Sequence, residues 1–248
     1  MRADTDVLVT HEPGISLITF NRPARRNAFT ARGYRQFARA LEQAASAPEI
    51  AVAVVTGRGA AFSAGVDLKA FDNPAEHAAL SAGFDQVLNA LVTFPKPLIA
   101  AVNGAAVGFG MTMLLHFDLV LANENARFRA PFTELGLVPE AGSSDLLPRA
   151  LGAQQATWLC LSGDWMEAPD AAKAGLVWRC VAGRVLDDAL EVARQVRMKP
   201  TIAVQATKQL LTFGRRERIA EALRREHDTM VALVANATPD FERDAGSE

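Results

Sequence analysis

The sequence predicts an α/β protein with a largely parallel sheet, and three observations carry that reading. Two short, continuous apolar runs, residues 51–56 and 98–102, have the length of strands buried on both faces. Segments of helical periodicity alternate with the strands, as crossover connections between parallel neighbours require. Half of the 248 residues are apolar and 22% are charged, which is enough to build a sizeable core. That length is long for one domain and short for two, so one α/β core with an appended region is expected.

The elements follow in order. Residues 7–10 and 15–20 read as a hairpin turning at Glu12-Pro13-Gly14. The second strand runs into Asn21-Arg22-Pro23-Ala24-Arg25-Arg26-Asn27, a turn with three arginines. Thr30 has the type and place of an N-cap, and the helix after it puts Gly33, Phe37, Leu41 and Ala44 on one face. It ends before Pro48, and the buried strand at 51–56 follows. Gly57-Arg58-Gly59 begins like a dinucleotide fingerprint, but Phe62 stands where the third glycine would let a helix pack closely, so that reading is set aside. A polar stretch at 72–74 leads to a helix at 75–91 and then to Pro95-Lys96-Pro97.

The organising stretch is 98–118. A strand at 98–102 turns through Asn103-Gly104 and Gly108 into an apolar segment too long for another strand, read as a buried helix starting near Gly108. A glycine-lined passage from strand to helix leaves the first helical amides without backbone partners. Such amides can hold an anion; if the anion is the oxygen of an activated carbonyl, they form half of an oxyanion hole. Strands at 119–122 and 127–130 come next, then a loop over 131–144 with a helix starting near Ser143. Five further helices are read at 153–161, 168–174, 185–198, 201–211 and 216–235. In the last, Ile219, Leu223, Met230 and Val234 form a stripe suited to docking on the core or on a neighbouring subunit. The runs 215–218 and 224–226 alternate in sign and read as an exposed helix face. The tail beyond 238 is expected to fray.

Composition narrows the function. A net charge of −2 argues against general affinity for nucleic acid, and no apolar run reaches the length of a membrane span. The first ten residues hold three charges and no long apolar stretch, so no secretion signal is expected. Cys160 and Cys180 fit no metal-ligand spacing and read as buried free thiols of a cytoplasmic protein without a metal site. No Gly-x-Ser-x-Gly is present, which leaves a serine hydrolase without its nucleophile elbow.

Four landmarks, in joint order and spacing, then carry a resemblance. They are Asn21-Arg22-Pro23 followed by Asn27-Ala28; Phe62-Ser63-Ala64-Gly65-Val66-Asp67-Leu68; Asn103-Gly104-Ala105-Ala106-Val107-Gly108-Phe109-Gly110; and Leu135-Gly136-Leu137-Val138-Pro139. With them the chain resembles the crotonase family, the enoyl-CoA hydratases and isomerases, over nearly its whole length. The resemblance implies a repeated ββα spiral core with a C-terminal helical region. Here the core and its acyl-CoA site are assigned to residues 1–190, and the region serving as lid or in trimerisation to 191–248. It also implies a homotrimer or hexamer acting on acyl-CoA or enoyl-CoA, with coenzyme A entering as part of the thioester and no separate cofactor.

Residue by residue, the resemblance assigns the oxyanion hole to the backbone N–H groups of Val66 and Phe109. It groups Arg25, Ala64, Val66, Asp67 and Phe109 around the coenzyme A thioester. Arg25 and Arg58 suit its phosphates, and Asp67 is also placed to cap the helix that follows. The two glutamates of the hydratases are replaced by Thr112 and Phe132, neither of which can act as a carboxylate base. Glu140 instead resembles the single catalytic glutamate of the Δ3,Δ2-enoyl-CoA isomerases. One carboxylate suffices there: it removes a proton from C2, the dienolate rests on the two amides, and the acid returns the proton at C4. Hydration through an unusual arrangement of Glu140 or Glu134, and a silent acyl-CoA-binding subunit, are the alternatives. Leu137, Val138 and Met113 are candidates for an apolar pocket that raises the acid's proton affinity. Glu134 reads as a surface group, His116 as a satisfied core histidine, and Thr112 as a core residue bonding a carbonyl one turn back.

Overall fold

The computed structural model describes residues 5–69 and 74–236. Residues 72 and 73 of the polar stretch read at 72–74, and the tail beyond 238, lie outside the described residues. Strand β1 (Val7–Glu12) folds back on β2 (Ile15–Phe20) as the expected antiparallel hairpin. Helix α1 (Ala31–Ser46) starts where Thr30 predicts, the threonine hydroxyl accepting the Gly33 amide at 3.0 Å. Its other end is capped from a distance. The Lys96 ammonium, buried between two prolines of the chain, donates to the carbonyls of Ala44 and Ala47 at 2.7 and 2.6 Å.

The spiral is visible in the strand pairings. After β3 (Val52–Gly57) come β4 (Ala61–Ser63) and α2 (Pro74–Thr93); after β5 (Leu98–Val102) come β6 (Ala105–Val107) and α3 (Phe109–Thr112); β7 (Leu119–Asn123) is followed by β8 (Arg127–Arg129). The first strand of each pair enters a six-stranded sheet and the second a four-stranded one. Helices α4 (Ser143–Leu151) and α5 (Ala153–Ser162) follow, then β9 (Met166–Glu167), α6 (Ala168–Ala174) and β10 (Arg179–Val181). The large sheet is ordered β1-β2-β3-β5-β7-β10, and the small one β4-β6-β8-β9. From β2 to β10 the large sheet is parallel. This is the α/β crotonase fold.

Alternation along the strands separates two cores. Ala53 and Val55 of β3 face one way, into the body that also holds Phe20, Phe37, Phe62 and Phe128. Val52 and Val54 face the other way, where α7 (Val185–Arg197) covers them with Val185, Ala189, Val192 and Ala193. That helix runs through position 190. Helices α8 (Thr201–Leu211) and α9 (Arg215–Asn236) complete the chain.

The sequence reading missed β4, β6, β9 and β10, which at two or three residues are too short to show a period. It also overstated the buried helix after Gly108. Only Phe109–Thr112 is α-helical, and Met113–His116 continues as a 3-10 turn. The chain must straighten there because Asp118 is already tied to the start of β5. Its amide donates to the Leu98 carbonyl at 2.9 Å, and its carboxylate accepts the Leu98 amide at 2.8 Å.

Candidate active site

The site forms where the two sheets' loops meet the start of α3. Gly65 has a φ of 80°, and a Cβ there would lie 2.7 Å from the Val107 carbonyl oxygen and 3.3 Å from the Phe109 nitrogen. Gly110 is pressed equally close to β4, with a Cβ position 2.4 Å from the Ser63 carbonyl oxygen. Glycine at both positions lets the loop after β4 and the first turn of α3 touch through their backbones.

That contact brings two unpartnered amides together. Phe29 bridges the loop by donating to the Gly65 carbonyl at 2.7 Å and accepting the Asp67 amide at 2.8 Å. In an extended chain the peptide between these two points the opposite way, so the Val66 N–H is turned from Phe29. Phe109 is the first residue of α3, so its amide is among those of the first turn that have no partner within the helix. Among the described residues neither N–H has an acceptor. The Val66 and Phe109 donors named from sequence are therefore neighbours and unengaged.

Glu140 arrives from the loop before α4. Its carboxylate accepts the Thr112 hydroxyl at 2.7 Å, and Thr112 is the third residue after Phe109. Burial pushes the Glu140 carboxyl up to about 8, the Thr112 bond pulls it down, and the charge of Glu226 raises it further. Some of the residue reaches the surface, but its carboxyl is packed densely enough that removal from water dominates. The Thr112 hydroxyl also lies 3.3 Å from the Gly108 carbonyl, one turn back as expected. With one hydrogen to give, it can donate to a charged Glu140, or turn to Gly108 and accept from a protonated one.

An aromatic group closes the other side. Tyr34 of α1 is fully buried, stacks on Phe29 at 4.8 Å between centroids, and meets Phe109 and Phe84 edge-on at 5.3 and 5.9 Å. Burial, and then the nearby Glu140 charge, push its phenol well above the usual range. Its hydroxyl has no hydrogen-bond partner among the described residues. Met113 is buried, and Leu137 packs against the same core.

Other expectations divide. Phe132 is buried and apolar. Glu134 is exposed and paired with Arg129 at 2.5 Å, the surface group expected. Arg25 is exposed and its guanidinium has no protein partner among the described residues, whereas that of Arg58 donates to the Asn21 side chain at 3.0 Å. Ala64 donates its amide to the Arg26 carbonyl at 2.9 Å, at the edge of the site. One carboxylate oxygen of Asp67 is held by both terminal nitrogens of Arg22 at 3.1 Å, which ties the arginine-rich turn to the loop after β4; residues 70–73, where the helix it was expected to cap would continue, lie outside the described residues. The free thiols Cys160 and Cys180 are half-buried rather than buried, and burial pushes both up.

His116 is only half satisfied. Its Nε2 meets the Ala141 carbonyl at 2.9 Å, while Nδ1 has no partner. The reading of 224–226 as an exposed face fails at Glu226, which is buried and accepts the amides of Gly142 and Ser144 at 2.8 and 2.9 Å. Charge runs hid it. The stripe periodicity that places Ile219 and Leu223 inward also turns Glu226 inward, one turn further on.

Comparisons with known proteins agree with this geometry. A family profile described as enoyl-CoA hydratase/isomerase matches residues 10–240. The chain is 35% identical to the 2,3-dehydroadipyl-CoA hydratase of Escherichia coli strain K12, over 96% of this chain and 98% of that protein. It is 33% identical to peroxisomal enoyl-CoA delta isomerase 3 of Mus musculus, over 95% of this chain and 72% of that one. The crystal structure of an enoyl-CoA hydratase/isomerase from Pseudoalteromonas atlantica T6c superposes with a TM-score of 0.88 at 36% identity, covering 93% of this chain and 92% of that one.

Proposed function

We propose that this chain, which belongs to the enoyl-CoA hydratase/isomerase family, is a Δ3,Δ2-enoyl-CoA isomerase with Glu140 as its proton shuttle. The observation that carries the reading is the desolvated Glu140 carboxyl bonded to Thr112, one helical turn from the Phe109 amide. In this reading the thioester oxygen sits on the Val66 and Phe109 amides. Glu140 takes the C2 proton, the electron pair moves into the dienolate, and negative charge collects on the oxygen between the two donors. The carboxylic acid then returns the proton at C4, and the double bond comes to rest between C2 and C3. Fixed donors of this kind are each worth roughly 3–4 kcal/mol of barrier.

A carboxyl near pH 8 suits both halves of the task, since base and conjugate acid are each accessible at neutral pH. The Thr112 hydroxyl can serve either state by turning between Glu140 and Gly108. Hydration would need a second group to orient and deprotonate water. Thr112 and Phe132 are no such group, Glu134 is committed to Arg129, and Glu226 is committed to backbone amides. Arg25, Ala64 and Asp67 are proposed to border the coenzyme A moiety, with no cofactor beyond it.

The proposed assembly is a homotrimer or hexamer. Its support is the apolar surface around α8, where Ile202, Leu211 and Phe213 are each more than 80% exposed. Sedimentation that finds only monomer would remove it. No helix among the described residues is long and apolar enough to cross a membrane, and the proposed setting is the cytoplasm. The reaction is tested with a 3-enoyl-CoA, whose isomerisation creates conjugated thioester absorbance, against a 2-enoyl-CoA, whose hydration consumes it. The expected result is gain of absorbance that disappears in Glu140→Gln. Consumption of the 2-enoyl thioester alone, or an unimpaired Gln variant, would sink the reading.

A further inference from the structure

The loop that carries Glu140 bends in an unfavourable way. Ala141 and Gly142 follow it at φ of 62° and 73°, two consecutive residues in the left-handed region, and alanine is strained there. Such a bend persists only where the surroundings over-determine it. From one side, the His116 ring meets the Ala141 carbonyl. Burial pushes His116 down to about 4, so the ring is neutral and Nε2–H is the donor. From the other side comes Glu226 of α9. Its two carboxylate oxygens take the Gly142 and Ser144 amides, which flank the start of α4.

This cap is an unusual choice. Helix α4 has glycine at its N-cap and no side-chain cap of its own. A serine or aspartate at that position would satisfy the amides locally. Instead the acceptor comes from residue 226, 84 positions beyond Gly142, and is buried in the apolar stripe with Ile219 and Ala222. A carboxylate in such a place is costly unless its bonds are complete, and here both oxygens are engaged.

We infer that Glu226 is a positioning residue for Glu140: by clamping the amides on either side of Ser143, it fixes the direction from which the Glu140 carboxyl meets Thr112 and the two oxyanion donors. Its negative charge has a second effect, favouring the protonated form of Glu140. The inference rests on Glu140 as the proton shuttle. Other groups facing the pair are accounted for. Tyr34 of α1 and Thr112 of α3 face Glu140; Asp145, in the first turn of α4, is paired with Arg149 at 3.0 Å and Arg218 at 3.9 Å; and Arg215 acts on His116. The consequence is that docking of the C-terminal helix and readiness of the base are one event.

Two variants weight the charge and the reach differently. Glu226→Gln keeps the length, removes the charge and, with one acceptor oxygen, holds one of the two amides; Glu226→Asp keeps the charge and is too short to hold both. Glu140 is titrated by carboxyl ¹³C NMR, its signal assigned by its loss in Glu140→Gln, beside the pH profile of kcat/KM and the melting temperature. In Glu226→Gln the Glu140 midpoint and the acidic limb are expected to move together to lower pH, by about half a unit or more. In Glu226→Asp the midpoint should stay and kcat fall about tenfold. An unmoved midpoint in the Gln variant, or rates in both that merely follow the folded fraction, overturns the inference. Hydrogen exchange in the unaltered protein needs no variant, and free exchange at Gly142 and Ser144 would also overturn it. Because the NMR titration does not depend on turnover, a shifted midpoint without isomerase activity would leave the clamp standing and sink the shuttle instead.

Discussion

Glu134 and Glu140 occupy one loop and differ in almost nothing but surroundings. Glu134 points into solvent and shares its charge with Arg129, whose guanidinium also bonds the Gly163 carbonyl. Glu140 is turned the other way, with a threonine hydroxyl as the only hydrogen-bond partner of its carboxylate among the described residues. The proposed difference in reactivity within this loop thus rests on environment and not on residue type. An acid stripped of water and given a single neutral donor is a base with something to gain from a proton.

The strongest way to break that contrast is Glu140→Gln. Isomerase turnover should fall by about 10²–10⁴-fold, the usual worth of a positioned acid–base group. Stability should move oppositely, and its sign follows from linkage. The carboxyl is raised from 4.5 to about 8 in the folded chain. Its contribution is therefore fully present below pH 4.5 and is lost as pH rises through 8, where the folded state must at last bury a charge. The Gln variant should match its parent near pH 4 and exceed it near pH 9, by up to about 5 kcal/mol. Melting curves at the two pH values check this; equal stability at pH 9 would mean that Glu140 is not desolvated.

Gly65→Ala tests the other half of the site. A methyl 2.7 Å from the Val107 carbonyl oxygen, at a φ of 80°, must push the Val66 amide away from the Phe109 amide. Removing one oxyanion donor costs about 10²–10³-fold in kcat, so a loss of roughly 10²-fold with little change in the Glu140 titration is expected. A shifted titration would show that the donors and the acid are not separate parts.

Thr112→Val comes next in size. The valine keeps the volume and deletes the donor that favours the charged carboxylate. The acidic limb of kcat/KM should therefore move to higher pH, and the rate at pH 7 fall about tenfold. A limb that moved to lower pH would mean that the hydroxyl mainly accepts from a protonated Glu140.

Much of this was legible in the chain. Thr30, the apolar strands and the glycines at 65 and 108 act through short-range geometry, and each appears where its local sequence puts it. Glu140 was singled out by resemblance, and the structure places its carboxylate on the Thr112 hydroxyl. What escaped was non-local. Nothing in sequence brings Arg22 to Asp67 across 45 residues. Glu226 was read as solvated because its neighbours are arginines, although its place on the helix turned it inward. Thr112 was placed correctly against Gly108, yet its stronger partner lay 28 residues away. Backbone donors are encoded where they stand; the side chains that tune the acid are encoded by folding.

The smallest effect should come from the acid that looks the same on paper. Glu134→Gln removes a charge that water and Arg129 already satisfy, and exposed pairs of this kind contribute about 0–1 kcal/mol. Arg129 would not be stranded, because its Nε still donates to the Gly163 carbonyl and its guanidinium lies 5.5 Å over the Trp165 ring. Turnover is therefore expected to stay within about twofold of the parent across the pH range. A tenfold loss would place Glu134 within reach of the substrate or of a bound water. The site would then have two working carboxylates, and hydration would become the better account of the chemistry.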